Sequence, residues 1–175
     1  TERIYKDGTS EKYTYDKYCN KNSETDRNKN TIKKTFDSKG NLLIERYPNG
    51  FCIENKYDNK GKLVKTSTSG GTETLYTYDD RGNLIEEHEK LDEGKYALRK
   101  YAYDSYGRLI SRTDPEKGIT LFEYGENHID KPTTVTDPEG NIFRYTYDKA
   151  GRMLSISTDY GTVKFEYNEI NKKTR

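Results

Sequence analysis

The chain has 175 residues, of which 35% are charged and 30% hydrophobic, with a net charge of +1 and a mean hydropathy of −1.22. Such low hydropathy is typical of disordered chains, but those lack aromatic residues, and the 17 Tyr and 5 Phe here favour a thin, tyrosine-rich folded sheet. The near-neutral charge, without a dense basic stripe, argues against nucleic-acid binding, and no apolar run reaches the roughly 18 residues of a membrane span, which argues against membrane insertion.

One phrase recurs along the chain: an aromatic residue, Asp, two variable residues, Gly, a basic residue or Asn, and an aliphatic residue. A loose copy stands at Tyr15-Asp16, and looser copies follow at Tyr124 and Tyr167. Strict copies begin at Phe36, Tyr57, Tyr78, Tyr103 and Tyr147. The aromatic positions are 20 to 25 residues apart, and such a period indicates a repeat architecture.

The Asp and Gly of the phrase predict a tight hairpin loop. The Asp side chain accepts hydrogen bonds from turn amides, and Gly adopts a positive φ without steric cost, as in a type I turn followed by a glycine bulge. These residues are therefore interpreted as structural turn residues: Asp37 and Gly40, Asp58 and Gly61, Asp79 and Gly82, Asp104 and Gly107, and Asp148 and Gly151.

A second series of turn signals alternates with the first, for example Pro48-Asn49-Gly50 and Asp137-Pro138-Glu139-Gly140. Glycines of the two series lie about 10 to 13 residues apart, which leaves room for one strand of about six residues per interval. Val163, Phe165 and Tyr167 alternate with polar residues, as a strand requires. The predicted fold class is all-β: an antiparallel meander of about sixteen short strands, built from hairpin repeats, that forms a curved, twisted strip.

The domain organisation is predicted as a single repeat array over residues 1–175, with a degenerate end repeat at 1–30 and regular repeats at 31–175. Cys19 stands at the glycine position of the first repeat, and the polar stretch that follows, up to Asn30, fits either an atypical end repeat or a mobile loop. Cys19 and Cys52 lack the spacing of a zinc site, and a disulfide between them is left open. The chain begins at Thr1 rather than Met, so we expect a fragment of a larger protein.

The strict copies of the phrase, Tyr-Asp-x-x-Gly-[Asn/Arg/Lys]-Leu, resemble the YD repeats of the Rhs family, and the resemblance covers nearly the whole chain. In bacterial Rhs and toxin-complex relatives such repeats wind into a hollow shell around a C-terminal toxin, and in teneurins the shell belongs to a cell-surface adhesion receptor. The self-cleaving segment that follows the repeats in the bacterial relatives is not recognisable here.

The resemblance implies a non-catalytic shell segment, secreted or at the cell surface, that encloses or presents a polypeptide cargo. Its implied partners are the rest of the parent shell and that cargo, with cell-surface glycans or proteins as further candidates. It implies no cofactor. Unpaired sheet edges near Thr1 and Glu169 predict an edge-to-edge homo-oligomer.

An enzyme is one alternative, but the recurrent aspartates are explained as turn formers, and neither His88 nor His128 has a positioned nucleophile nearby. No catalytic, metal-binding or cofactor-binding residue is therefore predicted. A carbohydrate-binding or adhesion module is the stronger alternative. Tyr101 and Tyr145 are its candidate glycan-stacking residues, although packing across strands is the favoured explanation of such tyrosines.

Overall fold

The computed structural model describes residues 1–116, 118–126 and 130–167. Within these ranges the chain forms sixteen strands and no helix. Neighbours in the sheet follow chain order from the first strand to the last, so the predicted all-β meander of hairpins is confirmed. The strands are β1 (Glu2–Ile4), β2 (Ser10–Tyr15), β3 (Lys21–Thr25), β4 (Thr31–Phe36), β5 (Leu42–Arg46), β6 (Cys52–Tyr57), β7 (Leu63–Thr68), β8 (Glu73–Tyr78), β9 (Leu84–Asp92), β10 (Lys95–Tyr103), β11 (Leu109–Thr113), β12 (Ile119–Tyr124), β13 (Pro132–Thr136), β14 (Ile142–Tyr147), β15 (Met153–Thr158) and β16 (Gly161–Lys164).

The chain divides into two compact units. One comprises Thr1–Thr77 with Glu87–Ala97, and the other comprises Tyr78–Glu86 with the residues from Leu98 onward. In each unit the strand pairs are antiparallel and joined by short loops. Glu169, named above as one edge of the sheet, and His128 lie outside the described residues.

A β-bulge follows each hairpin loop of the Asp–Gly series for which a strand register is established. In the first unit Tyr57 pairs with Leu63, and the register then skips Val64. In the second unit Tyr147 pairs with Met153, with the same shift in register. The bulge therefore sets the aromatic residue that opens the phrase directly across from the aliphatic residue that closes it, and it adds local twist to the hairpin.

The sheet has very little interior. Ala97, Thr120 and Ser155 are the buried residues of the described part of the chain, and no large side chain there is fully buried. Most strand residues are half-buried, as expected of a sheet that is not covered by a second layer. Backbone ladders, hairpin loops and cross-strand pairs must therefore supply stability that a thick core supplies elsewhere.

The polar stretch from Asn20 to Asn30 is a regular hairpin segment and not a loop. It contains β3 and a tight turn in which the Lys29 amide donates to the Asp26 carbonyl at 3.0 Å. Cys19 and Lys29 occupy the positions of the turn glycines and have φ values of 66° and 67°. Sequence reasoning missed the turn at Asp26 because a lysine rarely adopts this left-handed conformation.

Candidate functional site: contacts that join the repeats

The predicted turn residues lie at the tips of the hairpins. In the loop of Asp58, the carboxylate Oδ1 accepts hydrogen bonds from the amides of Lys60 at 2.9 Å and Lys62 at 2.8 Å. The Gly61 amide donates to the Asp58 carbonyl at 3.1 Å, and Gly61 has a φ of 83°. The carboxylate therefore satisfies amides that the turn leaves unpaired, while glycine accommodates the reversal of the chain.

The other predicted Asp–Gly pairs have the same backbone geometry, in which the glycine amide donates to the Asp carbonyl and the glycine φ is positive. These pairs are Asp37 and Gly40, Asp79 and Gly82, Asp104 and Gly107, and Asp148 and Gly151. The structure thus brings together the two members of each pair and keeps successive pairs in separate loops. These carboxylates are engaged by their own turns.

The sixth residue of the phrase holds the turn carboxylate with its side chain. The Asn41 amide nitrogen Nδ2 donates to Asp37 Oδ2 at 2.8 Å, and Arg108 Nε donates to Asp104 Oδ2 at 2.7 Å. The side-chain bond from Asn41 is the largest cause of a lowered pKa of Asp37. The preference for Asn or a basic residue at this position is therefore explained by a donor that completes the turn.

Tyrosine hydroxyls join successive hairpins. Tyr57 Oη donates to the backbone oxygen of Leu42 at 2.9 Å, and Tyr147 Oη donates to that of Pro132 at 2.9 Å, in each case across 15 residues. We call each such bond a tyrosine clip. The described residues include the clips Tyr57–Leu42, Tyr124–Leu109, Tyr147–Pro132 and Tyr167–Met153.

The clips and the bulges form a relay along the second unit. Tyr124 pairs with Pro132 at its own bulge, and Pro132 accepts the clip from Tyr147. Tyr147 pairs in turn with Met153, which accepts the clip from Tyr167. Burial raises the pKa of Tyr124 and of Tyr147, so both hydroxyls remain protonated donors at neutral pH.

Basic side chains cover the clip tyrosines. The guanidinium carbon of Arg108 lies 4.6 Å from the ring centre of Tyr124, and that of Arg152 lies 4.9 Å from the ring of Tyr167. Because Arg108 also bonds Asp104 of its own loop, one side chain connects a turn to the aromatic residue of the next repeat. Such cation–π contacts add stability at partly exposed sites.

A further set of contacts runs from loop to loop. Lys39 Nζ donates to the backbone oxygen of Asn59 at 3.1 Å, and Arg81 Nη1 donates to that of Ser105 at 2.9 Å. Lys39 and Arg81 are the third residues of their loops, counted from Asp, a position that the sequence analysis treated as variable. A basic residue recurring at this position was the signal that could have indicated their role.

The two predicted glycan-stacking residues lie on different parts of the second unit. Tyr101 on β10 pairs with Arg112, and Tyr145 on β14 pairs with Ile156. The register through the intervening strands places both half-buried rings on the same face, but four strand spacings, about 19 Å, separate them. They cannot form a single subsite, and glycan stacking stays a prediction.

The described residues contain no group of three or more His, Cys, Asp or Glu side chains placed to hold a metal ion. The thiols of Cys19 and Cys52 are free. Nor does this part of the chain include an apolar helix of membrane-spanning length. The arrangement of side chains is chemically suited to fastening one hairpin to the next.

Comparisons with known proteins agree with this geometry. A family model described as the teneurin YD-shell matches residues 47–172. No curated protein sequence matches the chain. The chain is similar in fold to a solved TcdB2-TccC3 without its hypervariable C-terminal region, with a TM-score of 0.59 and 16% identity over 99% of this chain and 12% of that chain. It is also similar to TcdB2-TccC3-TEV, with a TM-score of 0.54 and 20% identity over 99% of this chain and 9% of that chain.

The chain thus spans about an eighth or less of the length of these solved relatives, and at this level of identity the likeness concerns the fold alone. The sequence match carries the assignment. Because the family model covers well over half of the 175 residues, the chain belongs to the teneurin YD-shell family.

Proposed function

We propose that this chain is a non-catalytic wall segment of a larger, secreted or surface-located YD-repeat shell, which encloses or presents a polypeptide cargo such as a secreted toxin. The observation that carries the proposal is the relay of tyrosine clips. Each clip fastens a hairpin to the preceding one, so the contacts propagate along the array and converge on no single cleft. Such an arrangement suits a wall built from many similar units.

The chemistry of the carboxylates supports a non-catalytic role. Hydrolytic sites that use paired carboxyls require one whose pKa is raised. Here the pKa values of Asp37, Asp104 and Asp148 are lowered, and each of these groups accepts backbone hydrogen bonds in its turn. They are poor proton donors at neutral pH.

The solved relatives support the shell itself. The fold recurs in the TcdB2-TccC3 chains, one of which is described without a hypervariable C-terminal region and another as TcdB2-TccC3-Cdc42. A variable polypeptide joined to a constant fold of this kind is what an enclosing wall would accommodate.

Protease protection tests the proposal on the full-length polypeptide that contains this chain. A tightly folded wall should shield any enclosed segment, so we expect that segment to survive a protease dose that digests the same segment expressed alone. Denaturant that opens the wall should abolish the protection. Digestion of both forms at the same rate would contradict the proposal.

A carbohydrate-binding or adhesion module is the alternative function, with Tyr101 and Tyr145 as its stacking residues. Their location on one face of the second unit is the observation that favours it. Retention of the chain on immobilised glycans, lost in Tyr101→Ala and Tyr145→Ala variants that still fold, would support this alternative over a purely structural wall.

A further inference from the structure

At Tyr106 the loop carries no basic side chain to reach the next loop, and an open cavity of about 620 Å³ lies there in the second unit. Tyr106 is the third residue of its loop, the position from which Lys39 and Arg81 reach the next loop. A tyrosine cannot supply that cation. The following repeat also carries an insertion near Glu126, after which Lys131 donates to the Gly151 carbonyl and the loop-to-loop contacts resume.

The cavity combines an aromatic platform with negative charge. Tyr106 is 83% exposed, and its backbone amide donates to Asp104 in the turn, while its ring has the guanidinium carbon of Arg108 at 5.1 Å from the ring centre. The cavity is also lined by Arg108, Glu126 and Asp130. Because the Arg108 guanidinium is balanced by the Asp104 carboxylate at 2.7 Å, the carboxylates of Glu126 and Asp130 leave the lining with an excess of negative charge.

Elsewhere in the chain an arginine binds an aromatic ring and a carboxylate together. Arg27 lies with its guanidinium carbon 4.4 Å from the ring centre of Tyr5 and forms an ion pair with Asp7. A planar guanidinium can stack on an aromatic ring and bind a carboxylate at once, which an ammonium group does less well. Arg3 lies 5.1 Å from the same Tyr5 ring, as Arg108 lies 5.1 Å from the ring of Tyr106. Tyr106 with Glu126 and Asp130 therefore offers an arginine from outside the place that Arg27 takes on Tyr5.

We propose that this cavity binds an arginine side chain of a polypeptide segment, with the guanidinium stacked on Tyr106 and its donors directed to Glu126 and Asp130. The charge complementarity argues for a basic occupant, and the exposed ring argues for a planar one. This inference goes beyond the proposed wall function and does not depend on it, because the occupant is defined by its arginine side chain alone.

The probe is the peptide acetyl-Gly-Arg-Gly-amide, titrated into the ¹⁵N-labelled protein and followed by amide chemical shifts. The matched peptide with citrulline in place of arginine keeps the shape and removes the charge. We expect saturable shifts centred on Tyr106 and Glu126 with the arginine peptide, and binding at least about threefold weaker for the citrulline peptide.

Variants locate the contact. Tyr106→Ala and a combined Glu126→Gln, Asp130→Asn variant should each weaken arginine binding about threefold or more, while Tyr106→Phe should retain it. Tyr160→Ala is the matched control because Tyr160 is another loop tyrosine, 94% exposed, that does not line this cavity. Unchanged amide spectra away from the loop establish that each variant is folded.

Three results would overturn the inference: no saturable shift with the arginine peptide, equal binding of the citrulline peptide, or binding that survives Tyr106→Ala. Stronger binding of a chito-oligosaccharide than of the arginine peptide at Tyr106 would also overturn it, and would assign the cavity to a glycan.

Discussion

The hydroxyl of Tyr147 donates a 2.9 Å hydrogen bond to the backbone oxygen of Pro132, the residue that pairs with Tyr124 at the bulge of the preceding hairpin. The bond explains why the phrase so often opens on tyrosine rather than phenylalanine. Tyr147 pairs with Met153 of its own hairpin, and its hydroxyl reaches the previous one. Phe36, which opens the second repeat, lacks this hydroxyl and can make no clip.

Replacing Tyr147 by Phe should remove one clip and leave the ring in place. Since a typical hydrogen bond contributes about 1 kcal/mol net, we expect the free energy of unfolding to fall by about that amount in urea titrations. Tyr160→Phe is the control, because the side chain of Tyr160 is 94% exposed and should contribute little. Equal effects of the two substitutions would show that the clip does not stabilise the fold.

Substitutions at the adjacent residues Gly70 and Gly71 distinguish the cost of backbone strain from the effect of side-chain contact. Gly71 has a φ of 88° and open space around the position of an added Cβ, so Gly71→Ala should cost about 1–2 kcal/mol through backbone strain alone. Gly70 lacks a positive φ and would place a Cβ at ordinary contact distance from Thr68 and Phe51, so Gly70→Ala should be neutral or stabilising by up to about 1 kcal/mol. Chemical denaturation of both variants checks the difference, and the reverse order would contradict the turn geometry.

Lys29 offers the opposite experiment. Because its φ of 67° is unfavourable for lysine, Lys29→Gly should stabilise the chain by up to about 1 kcal/mol, after allowance for the greater freedom of glycine in the unfolded state. Lys60→Gly is the matched control: Lys60 lies in an equivalent loop without a positive φ, so only the entropic cost remains and stability should fall. A loss of stability in both variants would argue against the conformation assigned to Lys29.

The turn carboxylates predict that the free energy of unfolding declines in acid; we call this part of the pH profile the acid limb. The pKa values of Asp37, Asp79 and Asp137 are lowered from 3.8, with the side-chain hydrogen bond from the Asn four residues later as the largest cause. A lowered folded-state pKa contributes stability that is present above the unfolded value and is lost as pH falls through the folded value. Stability should therefore hold down to about pH 4 and decline below it.

Removing the Asn donors tests that assignment. In the combined variant Asn41→Ala, Asn83→Ala and Asn141→Ala, the carboxylates lose the main cause of their lowered pKa, so the acid limb should become shallower and overall stability at neutral pH should fall. Asn59→Ala is the control, because Asn59 contributes its backbone oxygen to the loop contacts. Urea midpoints between pH 2 and pH 7 provide the measurement. An unchanged acid limb in the combined variant would contradict the role assigned to the Asn donors.

The hairpin architecture was predictable because its determinants are local. Asp37 and Gly40 lie three residues apart, and their turn chemistry does not depend on the rest of the chain. The turn at Asp26 was missed since Lys29 takes a conformation that its residue type disfavours. The clip from Tyr147 to Pro132 was missed for a different reason: it joins one repeat to another, and a periodic pattern shows which residues recur but not which carbonyl a hydroxyl reaches.

Electron cryomicroscopy of the full-length polypeptide tests the central claim most directly, namely that this chain is part of a shell wall. The account predicts that the strands β1 to β16 appear within a larger β-sheet wall, with the clips of Tyr124 and Tyr147 in place and a polypeptide enclosed by or displayed on the wall. An isolated domain without a surrounding wall would contradict this claim, and so would a sheet whose surface forms a catalytic cleft.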